Sequence, residues 1–281
     1  MEKSLTVPNE TSTTYGNYLK VHDLLDLQEP LTKPEEHDEL LFIIIHQSYE
    51  LWFKQVIHEL TACCRFLEKG ELMRVMAGLK RVDAIQKVMI HKVDILETMT
   101  PDDFARFRGK LNPASGFQSY QFRVFEFLMG LKGQDYAQFH KHDPKSLRAL
   151  EDAFNKPSLY DFFLRFLHQR GYQIPESILM REVSKPHQEE EKLTDIFEDI
   201  YRNPYQNSDI YLALEALLDV DEQFLLWRYR HKSMVERMIG TMMGTGGSSG
   251  SKYLATTMTK RCFPEIWAVR NRLTPTYGGE A

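Results

Sequence analysis

A stretch running from Asp38 to Glu68 contains neither proline nor glycine, the two residues that most readily end a helix. Within it Leu41, Ile44, Ile45, Leu51, Trp52, Val56 and Leu60 recur mostly at three- and four-residue steps, the spacing of one helix face. Glu71–Glu97 places Leu72, Val75, Met76, Leu79, Val82, Ile85 and Met89 on one stripe, and Ser208–Ile239 carries Leu212, Leu214, Leu217, Leu218, Phe224 and Trp227. Shorter helices are expected at Leu19–Leu27, Phe117–Met129, Lys145–Phe154, Leu159–Arg170 and Glu190–Tyr201, with two more in Tyr253–Leu273 broken near Pro264. No convincing alternating strand pattern and no Asn-Gly hairpin signal interrupts this period. The fold class expected is all-α, a single domain of long packed helices.

The punctuation agrees. Thr100-Pro101-Asp102-Asp103 has a capping hydroxyl, a proline suited to the first helical position and acids that complement the helix dipole. Ser158 and Ser208 are expected to cap the helices that follow them, and Gly70, Gly130, Gly171 and Gly240 to stop helices. No fixed-period repeat or Gly/Pro/Ser-rich linker divides the chain, so residues 1–281 read as one domain, with an N-terminal arm over about residues 1–30. Gly171–Lys192, with Pro175 and Pro186, reads as a loop or lid.

Charge and cysteine content narrow the function classes. With 40 acidic against 35 basic side chains the net charge is −5, which argues against a nucleic-acid partner. Cys63, Cys64 and Cys262 form no disulfide framework and fit a reducing compartment. The opening MEKSLTVPNE has no apolar core for a secretory signal, and the run Leu40–Ile45 is too short to cross a bilayer. The expectation is a cytoplasmic protein without a membrane partner.

None of the ten histidines has glutamate three residues before it, which removes the Glu-x-x-His signature of a di-iron bundle. His58-Glu59 begins like a zinc-protease motif but reaches Ala62 where the second histidine belongs. No Cys-x-x-Cys-His exists for covalent haem attachment. The loop Gly244–Gly250 is not a phosphate cradle, because Ser251 intervenes before Lys252 and a helix precedes it. It is either a flexible connection or a loop whose backbone N–H groups approach a polar ligand.

Two histidines lie on otherwise apolar helix faces. His46 shares a face with Phe42, Tyr49 and Phe53; His231 follows Phe224, Trp227 and Arg228 and precedes Met234, Val235 and Met238. Each is either a core histidine with satisfied nitrogens or part of an apolar wall around a flat cofactor, with one imidazole as axial ligand. Phe104 and Arg108, four residues apart, share a helix face; the guanidinium is either solvated or a carboxylate anchor.

Taken together, TYGNYL (Thr14–Leu19), HDELLFIIIHQSYELWFK (His37–Lys54), FRGKLNPASGFQSYQFR (Phe107–Arg123) and LWRYRHKSMVERMIGTMMGTGGSSG (Leu226–Gly250) resemble the tryptophan 2,3-dioxygenase family, in that order along nearly the whole chain. The resemblance implies an all-α homotetramer with one haem b per subunit, active as Fe(II). It implies insertion of both atoms of O2 across the indole C2–C3 bond of L-tryptophan, giving N-formyl-L-kynurenine, with no reductase needed per turnover. It assigns the proximal iron ligand to His231, the distal catalytic histidine to His46 and the substrate-carboxylate partner to Arg108. Thr245 falls near the substrate ammonium and a haem propionate, Phe42, Phe104 and Leu111 line the indole slot, and Ser115 lies at the same site. Tyr15, Tyr18 and Leu19 match a segment that enters a neighbouring subunit's pocket. Phe104 and Phe122 stand where some members carry tyrosine. A haem sensor or carrier without turnover would share His231 but need neither Arg108 nor Thr245, and a plain helical scaffold would need none of them.

Overall fold

Three long helices frame the molecule. The computed structural model describes residues 12–133, 136–242, 244 and 250–273. In chain order the helices are α1 (Tyr15–Leu19), α2 (Val21–Leu25), α3 (His37–Glu68), α4 (Leu72–Leu96), α5 (Pro101–Arg108), α6 (Tyr120–Leu128) and α7 (Pro144–Asn155). They continue with α8 (Leu159–Gln169), α9 (Glu176–Leu179), α10 (Glu191–Arg202), α11 (Ser208–Ile239), α12 (Gly250–Thr257), α13 (Pro264–Ala268) and α14 (Arg270–Leu273). Short 3-10 turns cover Gly109–Leu111, Gly116–Gln118 and Tyr136–His140. No strand occurs among the described residues, and none of their helices is long and apolar enough to cross a membrane.

The long helices meet through the stripes that their sequence period marks out. Val56, Leu60 and Cys63 of α3, Leu79, Val82 and Met89 of α4, and Leu214, Val220 and Phe224 of α11 join one buried cluster with Phe125, Phe163 and Phe197. Gly70, at φ +73°, occupies a region costly for any residue with a Cβ and reverses the chain between α3 and α4. Seven residues into α4, Gly78 lets the two helices close: a Cβ there would lie 2.5 Å from the Cys63 sulfur. Helix α5 bridges α3 and α11 at one end of this frame, and α6 packs along α3.

Several expectations need correction. Ile44, Leu51 and Leu212 belong to helical stripes yet are 45%, 54% and 54% exposed; periodicity identifies an apolar face but not what covers it. Asn207, not Ser208, occupies the position before α11, and it makes no side-chain cap. The expected helix Leu19–Leu27 is interrupted by Lys20 at φ +54°, leaving two single-turn helices. The helix expected from Phe117 starts at Tyr120, because Ser119 ends the preceding 3-10 turn and caps α6 instead. Thr100 and Ser158 do cap α5 and α8. The segment 171–192, expected as a loop, holds the one-turn helix α9 and the start of α10, and it is tied down at two places. Arg181 donates to both carboxylate oxygens of Asp161 at 2.7 and 2.9 Å, and His187 Nε2 lies 2.6 Å from Glu265 Oε1.

Candidate functional site

Helix α3 brings Phe42 and His46 one above the other, because residues four apart share a helix face. Their ring centroids are 4.1 Å apart. His46 Nδ1 lies 2.7 Å from the Phe42 carbonyl oxygen. A carbonyl only accepts, so Nδ1 carries the proton and the lone pair of the neutral ring sits on Nε2. His46 keeps accessible surface, yet desolvation is the largest influence on it and lowers its pKa, against the opposing pull of the Phe42 carbonyl and Glu50. At neutral pH the imidazole is therefore an uncharged hydrogen-bond acceptor.

Helix α5 supplies one wall. The Thr100 hydroxyl accepts from Asp103 N at 3.2 Å, Pro101 opens the helix, and the fully buried Phe107 anchors it. Phe104 stacks on Phe42 with centroids 5.7 Å apart, and Phe107 meets both rings edge-on at 5.4 and 5.5 Å. Leu111, in the turn after α5, packs against the same apolar cluster, which also holds Ile45, Val93, Met234 and Met238. Arg108 is half-buried in the last turn of α5, one turn from Phe104. Ser115 caps the turn Gly116–Gln118, its hydroxyl oxygen accepting from Phe117 N at 3.3 Å.

Helix α11 supplies the opposite side. The His231 ring stacks on Trp227 at 5.0 Å with the planes 14° apart. Trp227 is itself packed among Phe122, Phe224, Phe53 and Tyr49. His231 Nδ1 is buried with no hydrogen-bond partner among the described residues. Burial first, with the charges of His46 and Arg123 adding to it, pushes the His231 pKa down to about 4. The imidazole is therefore neutral at pH 7, with a lone pair available to a metal. The turn of α11 after His231, with Met234, Val235 and Met238, packs with Phe42, Phe104 and Leu111.

The donor set suits a metal that arrives with most of its ligands. No group of three His, Cys, Asp or Glu side chains gathers to hold a bare ion among the described residues. A haem iron needs only one imidazole from beneath, an apolar surround and a poorly hydrated opposite face. His231 with its orphaned Nδ1, the Trp227 stack and the Phe42–Phe104 wall fit that group. The orphaned nitrogen is the position from which a hydrogen bond would orient an axial histidine.

The structure thus gathers Phe42, Phe104, Leu111 and the helix turn that follows His231 into one apolar cluster, with His46 against Phe42 and with Arg108 and Ser115 on the connected 108–115 segment. Tyr15, Tyr18 and Leu19 stay apart from it: they are 79%, 75% and 45% exposed on α1, which buries none of its own residues. Thr245 lies outside the described residues. Sequence reasoning missed Glu50, Ser119 and Gln121, which link α3 to the cap and first turn of α6. The four-residue spacing of His46 and Glu50 was the available signal. It also missed the buried ion pairs of Glu126 with Arg123 and Arg228 behind His231.

The tryptophan 2,3-dioxygenase family model matches residues 2–199 and 194–273. A tryptophan 2,3-dioxygenase of Herpetosiphon aurantiacus is 46% identical over 257 residues, covering 92% of this chain and 97% of the relative. Those of Myxococcus xanthus and Saccharopolyspora erythraea are 43% and 41% identical, covering 94% and 97% of this chain and 90% and 97% of their own lengths. By this match along nearly its whole length and by its helical frame, the chain belongs to the tryptophan 2,3-dioxygenase family.

Proposed function

We propose that this protein oxidises L-tryptophan with O2 in a haem-containing recess, giving N-formyl-L-kynurenine, the entry step of the kynurenine route of tryptophan breakdown. Both oxygen atoms enter the product while the indole C2–C3 bond breaks, so the reaction balances without an external reductant. Haem b, one per subunit, supplies the oxygen chemistry when bound in its ferrous form. His231 offers the iron its neutral imidazole. Everything else falls to placement.

Arg108 holds the substrate carboxylate through its planar fork of donors, which matches a carboxylate in two parallel hydrogen bonds. Phe42, Phe104 and Leu111 hold the indole and keep water away, and Ser115 and Thr245 complete the polar end. The third contact is His46. Its Nδ1 proton is committed to the Phe42 carbonyl at 2.7 Å, so Nε2 accepts from the indole N–H. Indole N–H is far too weak an acid for imidazole to remove its proton outright; His46 orients the ring. Contacts to three different substituents of the α-carbon, the carboxylate at Arg108, the ammonium at Thr245 and the indole between Phe42, Phe104 and Leu111, also distinguish L- from D-tryptophan. Phe104 has no hydroxyl to offer the carboxylate, which leaves that group to Arg108.

The observation that carries this reading is the placing of two histidines beside one apolar cluster, His231 with an unused buried nitrogen just before the Met234 turn and His46 against Phe42 with its acceptor nitrogen freed by the Phe42 carbonyl. The assembly we infer is a homotetramer in the cytoplasm, in which the arm carrying Tyr15, Tyr18 and Leu19 contributes to a neighbour's pocket. The exposure of these side chains and of Leu24, Leu25 and Leu27 supports a covering partner. Three buried free thiols support a reducing compartment. The test is aerobic incubation of the haem-loaded ferrous protein with L-tryptophan. N-formylkynurenine accumulates if the reading is right; a haem protein that leaves tryptophan intact is a sensor or carrier instead.

A further inference from the structure

Three residues of α3 lie on one face at four-residue steps: Phe42, His46 and Glu50. The two outer ones anchor the same stretch of chain. At the Phe42 end, Phe104 and Phe107 of α5 pack on the Phe42 ring at 5.7 and 5.5 Å. At the Glu50 end, Ser119 Oγ donates to Oε1 at 2.6 Å, and Gln121 Nε2 donates to Oε2 at 2.8 Å and to the Glu50 carbonyl at 2.9 Å. Between these anchors runs the segment holding Arg108, Leu111 and Ser115. At a rise of about 1.5 Å per residue the anchors stand roughly 12 Å apart along α3, with His46 midway.

Ser119 is also where two local structures meet. Its backbone N–H closes the turn begun at Gly116 by donating to the Gly116 carbonyl at 3.2 Å. Its hydroxyl accepts from Phe122 N at 3.2 Å, capping α6. Phe122 in turn packs on Trp227 at 4.9 Å, the ring that backs His231. One carboxylate therefore grips the junction from which the Ser115 turn departs on one side and the Phe122–Trp227 stack on the other.

We propose that Glu50 is a positioning residue for substrate: its carboxylate fixes the far end of the 108–119 segment to α3 and so sets the distance between the His46 imidazole and the Arg108 guanidinium. The inference rests on the reading that this recess takes L-tryptophan. The carboxylate sits half-buried on this face with both oxygens engaged, a directional tie that a hydrophobic residue in its place could not make. Loosening the clamp lets the segment drift from His46, which penalises a ligand that must touch both ends at once. A small ligand that reaches only the iron is unaffected.

The experiment uses the haem-loaded full chain and two ligands read by the Soret band: L-tryptophan and cyanide on the ferric form. A wild-type protein that shows no response to tryptophan sinks the proposed function before any variant is made. Given that response, Glu50→Ala is expected to weaken tryptophan binding about tenfold, the scale of a lost hydrogen bond to a charged group, with cyanide affinity unchanged. Ser119→Ala gives a similar loss, and the double variant is no weaker than Glu50→Ala alone, because both break one contact. Glu50→Gln, which keeps one acceptor, recovers most of the affinity. If Glu50→Ala fails to accumulate as folded protein, Ser119→Ala and Glu50→Gln carry the same comparison. Equal losses for tryptophan and cyanide, additive losses in the double variant, or a lower Tm with unchanged tryptophan affinity would each overturn the proposal.

Discussion

Replacing His46 with alanine separates orientation from proton abstraction. In the structure the imidazole is held from behind by its Nδ1–H bond to the Phe42 carbonyl and by the Phe42 ring 4.1 Å away, leaving one acceptor for the substrate. A neutral hydrogen bond contributes about 0.5–1.5 kcal/mol net, so its loss lowers kcat/KM by roughly two- to twelvefold. Removal of an obligatory base would instead cost about a hundredfold to ten-thousandfold. The assay is steady-state formation of N-formylkynurenine by haem-loaded His46→Ala, with tryptophan affinity measured alongside. Repeating it with 1-methyl-L-tryptophan, which has no indole N–H, adds a second arm. The alanine penalty shrinks for that substrate if the lost contact is the hydrogen bond. Undetectable turnover at normal haem content and normal tryptophan affinity would refute the orienting role.

Further outcomes follow from other parts of the molecule. His231→Ala should lose haem or bind it with a visibly altered Soret band, while far-UV circular dichroism stays helical; an unchanged spectrum rejects His231 as the axial ligand. Gly78→Ala forces a methyl into space 2.5 Å from the Cys63 sulfur, so overpacking should cost about 1–3 kcal/mol by denaturant unfolding. Full stability there would mean α3 and α4 separate freely. Burial raises the Asp161 carboxyl, but the Arg181 fork and the Ser158 hydroxyl and N–H outweigh it and hold the pKa below its ordinary value. Stability from this group is complete above its unfolded pKa of about 3.9 and fades as pH falls through the lower folded value. Asp161→Asn should therefore destabilise at neutral pH and reduce the loss seen on acidification; an unaltered acid slope in urea titrations contradicts the assignment.

How far the sequence could be read depended on the range of the interaction involved. The long helices announce themselves because their period and their stops are local: α11 begins and ends at the expected Ser208 and Ile239, and Gly70 and Gly240 take positive φ as helix-ending glycines do. Phe42 and His46 are legible as neighbours for the same reason. What was hidden depends on residues far apart in the chain. Ser119 meets Glu50 across 69 positions, and Trp227 finds Phe122 across the core; no periodicity encodes either. Ile44, Leu51 and Leu212 show the limit from another side. Their hydrophobic spacing is real, but whether an apolar face meets the core or a second molecule is decided by tertiary structure.

Roles for individual side chains came from family resemblance, and the geometry gives several of them a physical basis. The Phe42 carbonyl determines which nitrogen of His46 is free, a detail invisible in the string of letters. The burial of His231 keeps it neutral and able to ligate. Arg108 owes its place to the cap at Thr100 and to the Phe107 anchor, both of which orient α5 against α3.

The account turns on one recess serving His231 from one side and Arg108 from the other. The most direct measurement is a titration of haem-loaded protein with L-tryptophan, followed by the Soret band, in wild type and in Arg108→Ala. The wild type should show a saturable shift, and the variant should keep its haem but respond only at far higher tryptophan, by about 2–5 kcal/mol in affinity. A protein that takes up no haem, or an Arg108→Ala variant that responds as the wild type does, would contradict it.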